Sequence, residues 1–213
     1  MMYQTLAAYY DALVKDEEAT AQWVSYVKRH LPNSERTQLL EVACGSGEIA
    51  LALAQCGYQL CAGDISEDML QQARQKAGSD LVKWQRLDMR DLSDFGCFHG
   101  ILCFCDSLNY LIEKQDVKQF FTEAYAHLHK QGVLLFDMHS WDRLSEFESE
   151  YCEDGYIGDT AYEWTIATED AYLYQTFAFY DKEAHVSLEQ HIQRVYDPAW
   201  IMKTLKEIGF QVK

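Results

Sequence analysis

Glu41-Val42-Ala43-Cys44-Gly45-Ser46-Gly47-Glu48 is the stretch that decides the fold. Leu39 and Leu40 lead into it, and with Val42 and Ala43 they make a short apolar run of the kind that forms a buried strand. Gly45 and Gly47 let the chain turn tightly and bring bare backbone amides close to a ligand. Glu48 opens an apolar helix whose N-terminus adds a positive dipole to those amides. The acid in the strand is the discriminating residue. Glu41 would repel a pyrophosphate but suits an ammonium group, such as that of a methionine moiety. The spacing Gly45-x-Gly47-x-x-Ala50 also fits the dinucleotide fingerprint. Asp64 stands about where that fingerprint expects its ribose-binding acid. The two readings therefore separate at Glu41 and downstream, not at the glycines. A glycine turn without a ligand is disfavoured, because the turn, Glu41 and Asp64 agree.

Outward from this loop the chain alternates between strand and helix. Strands are expected at 39–43, 58–62, 80–87, 100–105 and 133–137. Helices are expected at 48–56, at 66–77 with Ser66 as N-cap, and at 116–130 with Gln131-Gly132 as C-cap. Two helices precede them, over 5–14 and 18–30, the second stopped by Pro32-Asn33-Ser34. After His139 the residues turn rich in Tyr, Phe, Thr and Val, which predicts three antiparallel strands at 163–168, 172–180 and 186–196. Asp197-Pro198 starts a last helix, closed at Ile208-Gly209, and Phe210-Gln211-Val212 opens a sixth main strand. The fold class is α/β: a Rossmann-like, doubly wound, mostly parallel sheet with N-terminal helices and an inserted antiparallel lid. One domain over 1–213 is expected, with the lid or substrate insertion at about 141–196. Ligands of such sheets sit beyond the carboxyl ends of the strands. That points to Ala43-Cys44-Gly45, Asp64, Asp88, Cys105-Asp106 and Asp137-Met138-His139.

The 213 residues suffice for one substantial core, and 48% apolar with 24% charged residues is ordinary for a globular chain. A net charge of -16 repels phosphate backbones, so a nucleic-acid partner is not expected. No stretch is apolar for long enough to span a membrane, and the N-terminus lacks a signal-peptide pattern. Seven cysteines lie mostly in apolar segments and read as reduced core thiols of a cytoplasmic protein. Cys103-Phe104-Cys105 does not have zinc-ligand spacing, and no metal site is expected.

Leu39–Glu48 resembles motif I of the class I S-adenosylmethionine (SAM)-dependent methyltransferases. Gly63-Asp64-Ile65-Ser66-Glu67-Asp68-Met69-Leu70 resembles their second motif. The resemblance extends over roughly 5–212 and is closest to the bacterial small-molecule branch of YqeM-like proteins, which begins with Tyr-Asp, here Tyr10-Asp11. It implies SAM as cofactor, with Asp64 on both ribose hydroxyls and Ile65 and Met69 flanking the adenine. Asp88, in Arg86-Leu87-Asp88-Met89-Arg90, is implied to meet the adenine amino group, with Met89 packed on the ring. Tyr10 is implied to lie over the cofactor. Phe104-Cys105-Asp106-Ser107-Leu108-Asn109-Tyr110 takes the motif IV position beside the methyl group. Ala43 departs from the family pattern by replacing the first glycine of motif I.

SAM carries its own electrophile, so holding a nucleophile in line and excluding water supplies most of the barrier reduction, on the order of 7–11 kcal/mol. A base is needed only for a protonated nucleophile. His139, after the fifth strand, is the candidate, set against a purely local hydrogen-bonding role. Tyr110, His191 and Arg194 are candidate substrate residues. Glu189, His191 and Gln193 alternate and share one strand face. The segment 142–170 is strongly acidic, with Arg143 its only basic residue. As a lid it would favour a cationic or amine small molecule, aided by its tyrosines; as a solvated face it would do nothing special. The lid reading requires that neutralising Glu146, Glu148 and Glu150 weaken substrate binding. The alternatives to a methyltransferase are an NAD-dependent oxidoreductase or epimerase and a non-catalytic SAM-binding module. A monomer or homodimer is expected.

Overall fold

The computed structural model describes residues 5–32, 34, 36–183 and 185–212. Its elements in chain order are α1 (Tyr10–Val14), α2 (Glu17–His30), β1 (Gln38–Val42), α3 (Glu48–Gln55), β2 (Gln59–Asp64) and α4 (Glu67–Gln75), then β3 (Val82–Arg86), β4 (Phe98–Cys103), α5 (Lys114–Ala126) and β5 (Leu128–Phe136). There follow α6 (Asp142–Glu146), β6 (Tyr151–Ile157), β7 (Thr160–Glu169), β8 (Tyr172–Tyr180), β9 (Val186–Arg194) and α7 (Pro198–Ile208).

β1 to β5 form one parallel sheet in the order β3-β2-β1-β4-β5. β1 is central because it is apolar on both sides. Successive residues point to opposite faces, and Leu39 enters the core under α2 and α3, while Leu40 enters the core under α5 and α7. Both leucines are fully buried. The strand order reverses between β1 and β4, which opens a crevice at their carboxyl ends. The expected caps are present. The Ser66 hydroxyl accepts from the Met69 amide at 3.3 Å, and the Asp197 carboxylate accepts from the Ala199 amide with Pro198 in the first turn.

Several boundaries differ from the sequence expectation, and the helix expected over 5–14 is a 3₁₀ turn at Leu6–Ala8 followed by α1. The helix expected over 116–130 ends at Ala126, and the chain enters β5 at Leu128. Gln131-Gly132 lies inside that strand, where the register jumps from Phe98↔Leu128 to Gly100↔Val133. Gln131 has φ +69, the conformation a helix C-cap also uses, so the same residues serve a strand irregularity. Phe210-Gln211-Val212 is not a strand: the Phe210 amide is captured by the Leu205 carbonyl at 3.0 Å, and its ring packs edge-on against Tyr125. Before β3, Ser79–Leu81 forms a 3₁₀ turn instead of strand.

The second sheet is antiparallel, in the order β6-β7-β8-β9, and is inserted between β5 and α7. It has four strands where three were expected. β6 carries Glu153, Asp154 and Gly155, residues poor in strand propensity, and it stands at the edge. It joins β7 through a two-residue turn whose Gly158 has φ +60. The N-terminal segment docks on this sheet: Leu6 is buried with Phe177 and Phe179, and Tyr9 stacks on Phe179 at 4.6 Å. Among the described residues no helix is long and apolar enough to cross a membrane.

The thiols divide. Cys44, Cys61 and Cys103 are core residues, but Cys97, Cys105 and Cys152 are exposed, so the expectation of core cysteines does not hold for those three. Cys97 is in a loop and Cys152 on the edge strand β6, where no second layer covers them, while Cys105 lies in the turn after β4.

Candidate functional site

A cavity of about 340 Å³ opens beyond the carboxyl ends of β1, β2 and β4. Its floor is the motif I loop with Glu41 and Asp64. Its roof is the N-terminal segment, through Leu6 and Tyr10, and the antiparallel sheet, through Trp164, Gln175 and Phe177.

Glu41 is 3% exposed, lines the cavity, and has an oxygen, Oε2, with no hydrogen-bond partner among the described residues. Desolvation, with the charge of nearby Asp64, pushes its carboxyl up to about 8. A buried carboxylate oxygen left bare is costly unless a donor or cation completes it. Asp64 shares the same cavity. Its Oδ2 accepts from the Gly45 amide at 2.9 Å and its Oδ1 from the Ser66 amide at 2.8 Å. Desolvation raises its carboxyl despite those bonds. Each oxygen keeps a further lone pair, so the carboxylate can still accept two hydroxyls from the cavity side.

The loop between these acids is strained. Ala43 has φ +51, Gly45 +53 and Gly47 +80. Ala43 thus holds the backbone of a glycine with a Cβ attached, and it lines the cavity. Gly47 does not line the cavity. A Cβ there would lie 2.4 Å from the Trp84 ring, so its part is to let the loop close on α4 and β3. Cys44 is buried, and desolvation, with Glu41 and Asp64, holds its thiol well above the ordinary range. Asp11, passed over as a site residue in the sequence, ties this loop to the N-terminus. Its Oδ1 accepts from the Ser46 hydroxyl at 2.5 Å, and its Oδ2 meets the Lys76 ammonium at 2.6 Å. The only sequence signal for that role is its place in the Tyr10-Asp11 pair.

Tyr10, Ile65, Met69, Met89, Cys105 and Asp106 line the cavity. Desolvation, with Cys105, Tyr110, Asp106 and Asp64 close by, raises the Tyr10 hydroxyl beyond its usual range. Asp88 does not line it. Arg90 grips the Asp88 carboxylate through Nε and Nη2, at 3.0 to 2.6 Å, and through its own amide. That grip outweighs desolvation and holds Asp88 below the ordinary carboxylate range. Its carboxylate is committed to Arg90, which departs from the adenine contact expected of it.

Cys105 and Asp106 have φ +57 and +50, an uncommon conformation for non-glycine residues that surrounding structure must enforce. The Asp106 amide donates to Asp137 Oδ2 at 3.0 Å, and Gln193 Nε2 donates to Asp106 Oδ2 at 3.0 Å. Desolvation, with Asp137, Glu41 and Asp106, pushes the Cys105 thiol up to about 12, so it is no nucleophile. His139 lines the cavity, and its Nε2 lies 3.1 Å from Gln193 Oε1 and 3.3 Å from Asp106 Oδ2. Gln193 Oε1 also accepts from Gln175 Nε2 at 2.9 Å, which fixes that amide's orientation. Both neighbours of His139 Nε2 are acceptors, so that nitrogen carries a proton and cannot take another.

Tyr110 lines the cavity; His191 and Arg194 do not. Glu189, His191 and Gln193 do share the inner face of β9, at 7%, 1% and 0% exposure, but they bond to wall residues from behind. Arg194 is one residue out of phase with that face. Its guanidinium lies over the Tyr172 and Tyr196 rings and donates to the Ile112 carbonyl at 2.9 Å. Glu146, Glu148 and Glu150 are exposed and outside the cavity wall, and Glu146 is paired with Arg143. The acidic stretch is a solvated face, and the one charged residue it contributes to the wall is Arg143.

Comparison with known proteins follows the same lines. A family described as a methyltransferase domain matches residues 39–132. The methyltransferase-family protein YqeM of Bacillus subtilis is 33% identical over 219 residues, covering 100% of this chain and 87% of that protein. A glycine/sarcosine N-methyltransferase of Halorhodospira halochloris is 27% identical over 167 residues, covering 69% of this chain and 61% of its own length. The crystal structure of a SAM-dependent methyltransferase from Clostridium acetobutylicum superposes with a TM-score of 0.78 at 27% identity, covering 97% of this chain and 87% of that one.

Proposed function

The chain belongs to the SAM-dependent methyltransferases, and from that premise we propose that it methylates the nitrogen of a small amine held between the motif I loop and the antiparallel sheet. The observation that carries the cofactor half is the bare, buried Glu41 Oε2 in the cavity wall. It suits the ammonium of the cofactor's amino acid end, a cation that favours the ionised carboxyl, whereas a dinucleotide's pyrophosphate would disfavour that ionisation. Asp64 would hold the ribose hydroxyls, and Ile65, Met69 and Met89 would flank the adenine. When bound, SAM supplies an electrophilic methyl on a sulfonium. The chain's own residues exclude water and align the acceptor, which the aromatic roof does through Trp164 stacked on Phe177 at 5.2 Å.

The amine half rests on charge and aromatic surface. Asp11, Asp16, Glu41, Glu48, Asp64 and Asp106 line the cavity against Lys15 and Arg143 alone, which favours a cation. Trp164 and Phe177 line the same cavity and add aromatic surface that attracts a cation. That the relative from Halorhodospira is named for N-methylation supports the same class. A charge of -16 argues against nucleic acid as the acceptor, and free thiols suit a cytoplasmic setting.

Calorimetry tests the cofactor assignment. S-adenosylhomocysteine is expected to bind and NADH not to. Glu41→Gln is expected to weaken S-adenosylhomocysteine about tenfold to a hundredfold, the loss of one charged hydrogen bond. Unchanged affinity in that variant would refute the role given to Glu41.

A further inference from the structure

Among the described residues two permanent cations line the cavity, Lys15 and Arg143. Lys15 is answered from within the fold: its ammonium lies 3.4 Å from Glu48 and 3.8 Å from Glu17. Arg143 is answered only in part. Its Nη1 donates to Glu146 at 2.7 Å, but Glu146 is exposed, and a surface ion pair contributes little. Further back along the same side chain, Nε is buried and has no hydrogen-bond partner among the described residues.

The surroundings make that bare donor costly. Arg143 Cζ lies 4.6 Å from the centroid of the Phe147 ring, which packs with Ile166 and Leu173. Ile166 and Leu173 are 2% and 1% exposed and line the same cavity as Arg143. Aromatic and aliphatic side chains offer no acceptor, and a guanidinium cannot shed its charge. A buried donor in such a place destabilises the fold until an acceptor completes it. A carboxylate matches it well. It takes a guanidinium edge through two parallel N–H···O bonds, and Nε with Nη2 forms such an edge beside the Nη1 that Glu146 holds.

Position and charge decide which molecule brings the carboxylate. Arg143 comes from α6, beyond β5, and stands with the antiparallel sheet, away from the motif I loop assigned above to the cofactor. A phosphate dianion would be repelled by the six acids of the wall. A carboxylate on a molecule that also carries an ammonium brings no net charge.

We propose that the methyl acceptor is a small amino acid, its carboxylate held by Arg143 Nε and Nη2 and its amino nitrogen turned to the cofactor's methyl. The inference rests on the amine-methylation reading above and narrows it from amines at large to zwitterions. The acids of the wall favour the ammonium pole and Arg143 the carboxylate pole, so the two ends orient the molecule as well as bind it. An amine without a carboxyl group leaves Nε without an acceptor, which sets the specificity. The amino nitrogen, entering as the free base, forms the N–C bond as the sulfonium's C–S bond breaks. The products are the N-methylammonium acid and S-adenosylhomocysteine.

The test measures the anchor and the reaction separately, on the full-length protein. Acetate is titrated into the protein saturated with S-adenosylhomocysteine while nitrogen NMR follows the Arg143 Nε–H. A saturable shift is expected, and a signal that does not respond overturns the anchor. Methyl transfer from SAM is then measured to glycine, sarcosine and alanine, to their carboxamides, and to ethanolamine and putrescine. The free acids are expected to be preferred. Arg143→Gln is expected to lower the preference for acid over carboxamide about tenfold to a hundredfold, the loss of one charged hydrogen-bonded contact. Arg143→Lys, which keeps the charge but not the planar fork, should fall in between. A preference that does not change in Arg143→Gln overturns the proposal. S-adenosylhomocysteine affinity should stay within about threefold in both variants. A larger loss would mean that Arg143 holds the cofactor's own carboxylate, and it too overturns the proposal. Transfer to ethanolamine or putrescine but to no amino acid overturns it while the amine reading stands. Transfer to none of these compounds removes the amine reading and this proposal together, and a saturable acetate shift would then mark Arg143 as an anchor for a carboxylate of another kind.

Discussion

Ala43 and Gly47 sit four residues apart in one loop, and only their surroundings separate them. Both have positive φ. A non-glycine residue in that region costs roughly 1–2 kcal/mol, offset in part by glycine's greater freedom in the unfolded chain. Ala43→Gly is therefore expected to leave stability unchanged or raise it by up to about 1 kcal/mol, read as the midpoint of chemical denaturation. Gly47→Ala should lose roughly 2–4 kcal/mol, because the strain is joined by a clash with the Trp84 ring. Equal effects of the two substitutions would contradict this account. The sequence shows Ala43 as a departure from a glycine pattern; it does not show that the backbone stays in the glycine conformation. At Asp88 the motif position is legible, but the commitment of its carboxylate to Arg90 depends on how β3 is followed by a tight turn.

Among the elements, α1 and the antiparallel sheet make the roof, and each supports one prediction. α1 is fastened to the glycine loop and to α4 through Asp11, with Ser46 and Lys76 as its partners. Asp11→Ala is expected to lower S-adenosylhomocysteine affinity about three- to tenfold in calorimetry, with little change in melting temperature. Unchanged affinity would show that α1 only covers the site. The sheet gives the opposite expectation for its acidic approach. Neutralising Glu146, Glu148 and Glu150 together should leave turnover and cofactor binding unaltered, since these side chains are exposed and outside the cavity wall. Periodicity identified β7 and β8 because their inner faces are largely apolar or aromatic, and β9 because polar Glu189, His191 and Gln193 alternate there with Leu188 and Ile192 on the outer face. It missed β6 because an edge strand of acidic residues carries no such alternation.

For the whole molecule, several buried acids act in one direction. Glu41 is raised from an ordinary 4.5 to about 8 and Asp137 from 3.8 to about 6, both chiefly by desolvation, and Asp64 is raised as well. A carboxyl whose folded value lies above its unfolded one keeps a proton that the unfolded chain has released. Raising pH through that window therefore destabilises the fold. The ligand-free protein is expected to melt at progressively lower temperature as pH rises from about 5 to 8. Glu41→Gln should flatten that slope, and S-adenosylhomocysteine should oppose it by giving Glu41 a cation. A melting temperature that climbs over this interval would contradict the burial of these acids. Glu189 and Asp88, held below their ordinary range, act only at more acid pH.

The order of strands and helices as far as β5, the glycine loop and the two acids that close on one cavity were all determined by the sequence, because each depends on local patterning: apolar runs, capping residues and turn chemistry within a few positions. The alternation of Glu189, His191 and Gln193 was equally legible. What that face does was decided by tertiary structure alone. Their partners Tyr110, Leu6 and Asp106 lie 81 to 183 residues away along the chain, and no local pattern specifies which side chain arrives across such a distance. The same holds for His139, whose place after β5 could be read, whereas the committed proton on its Nε2 follows only from Gln193 and Asp106 meeting it in space.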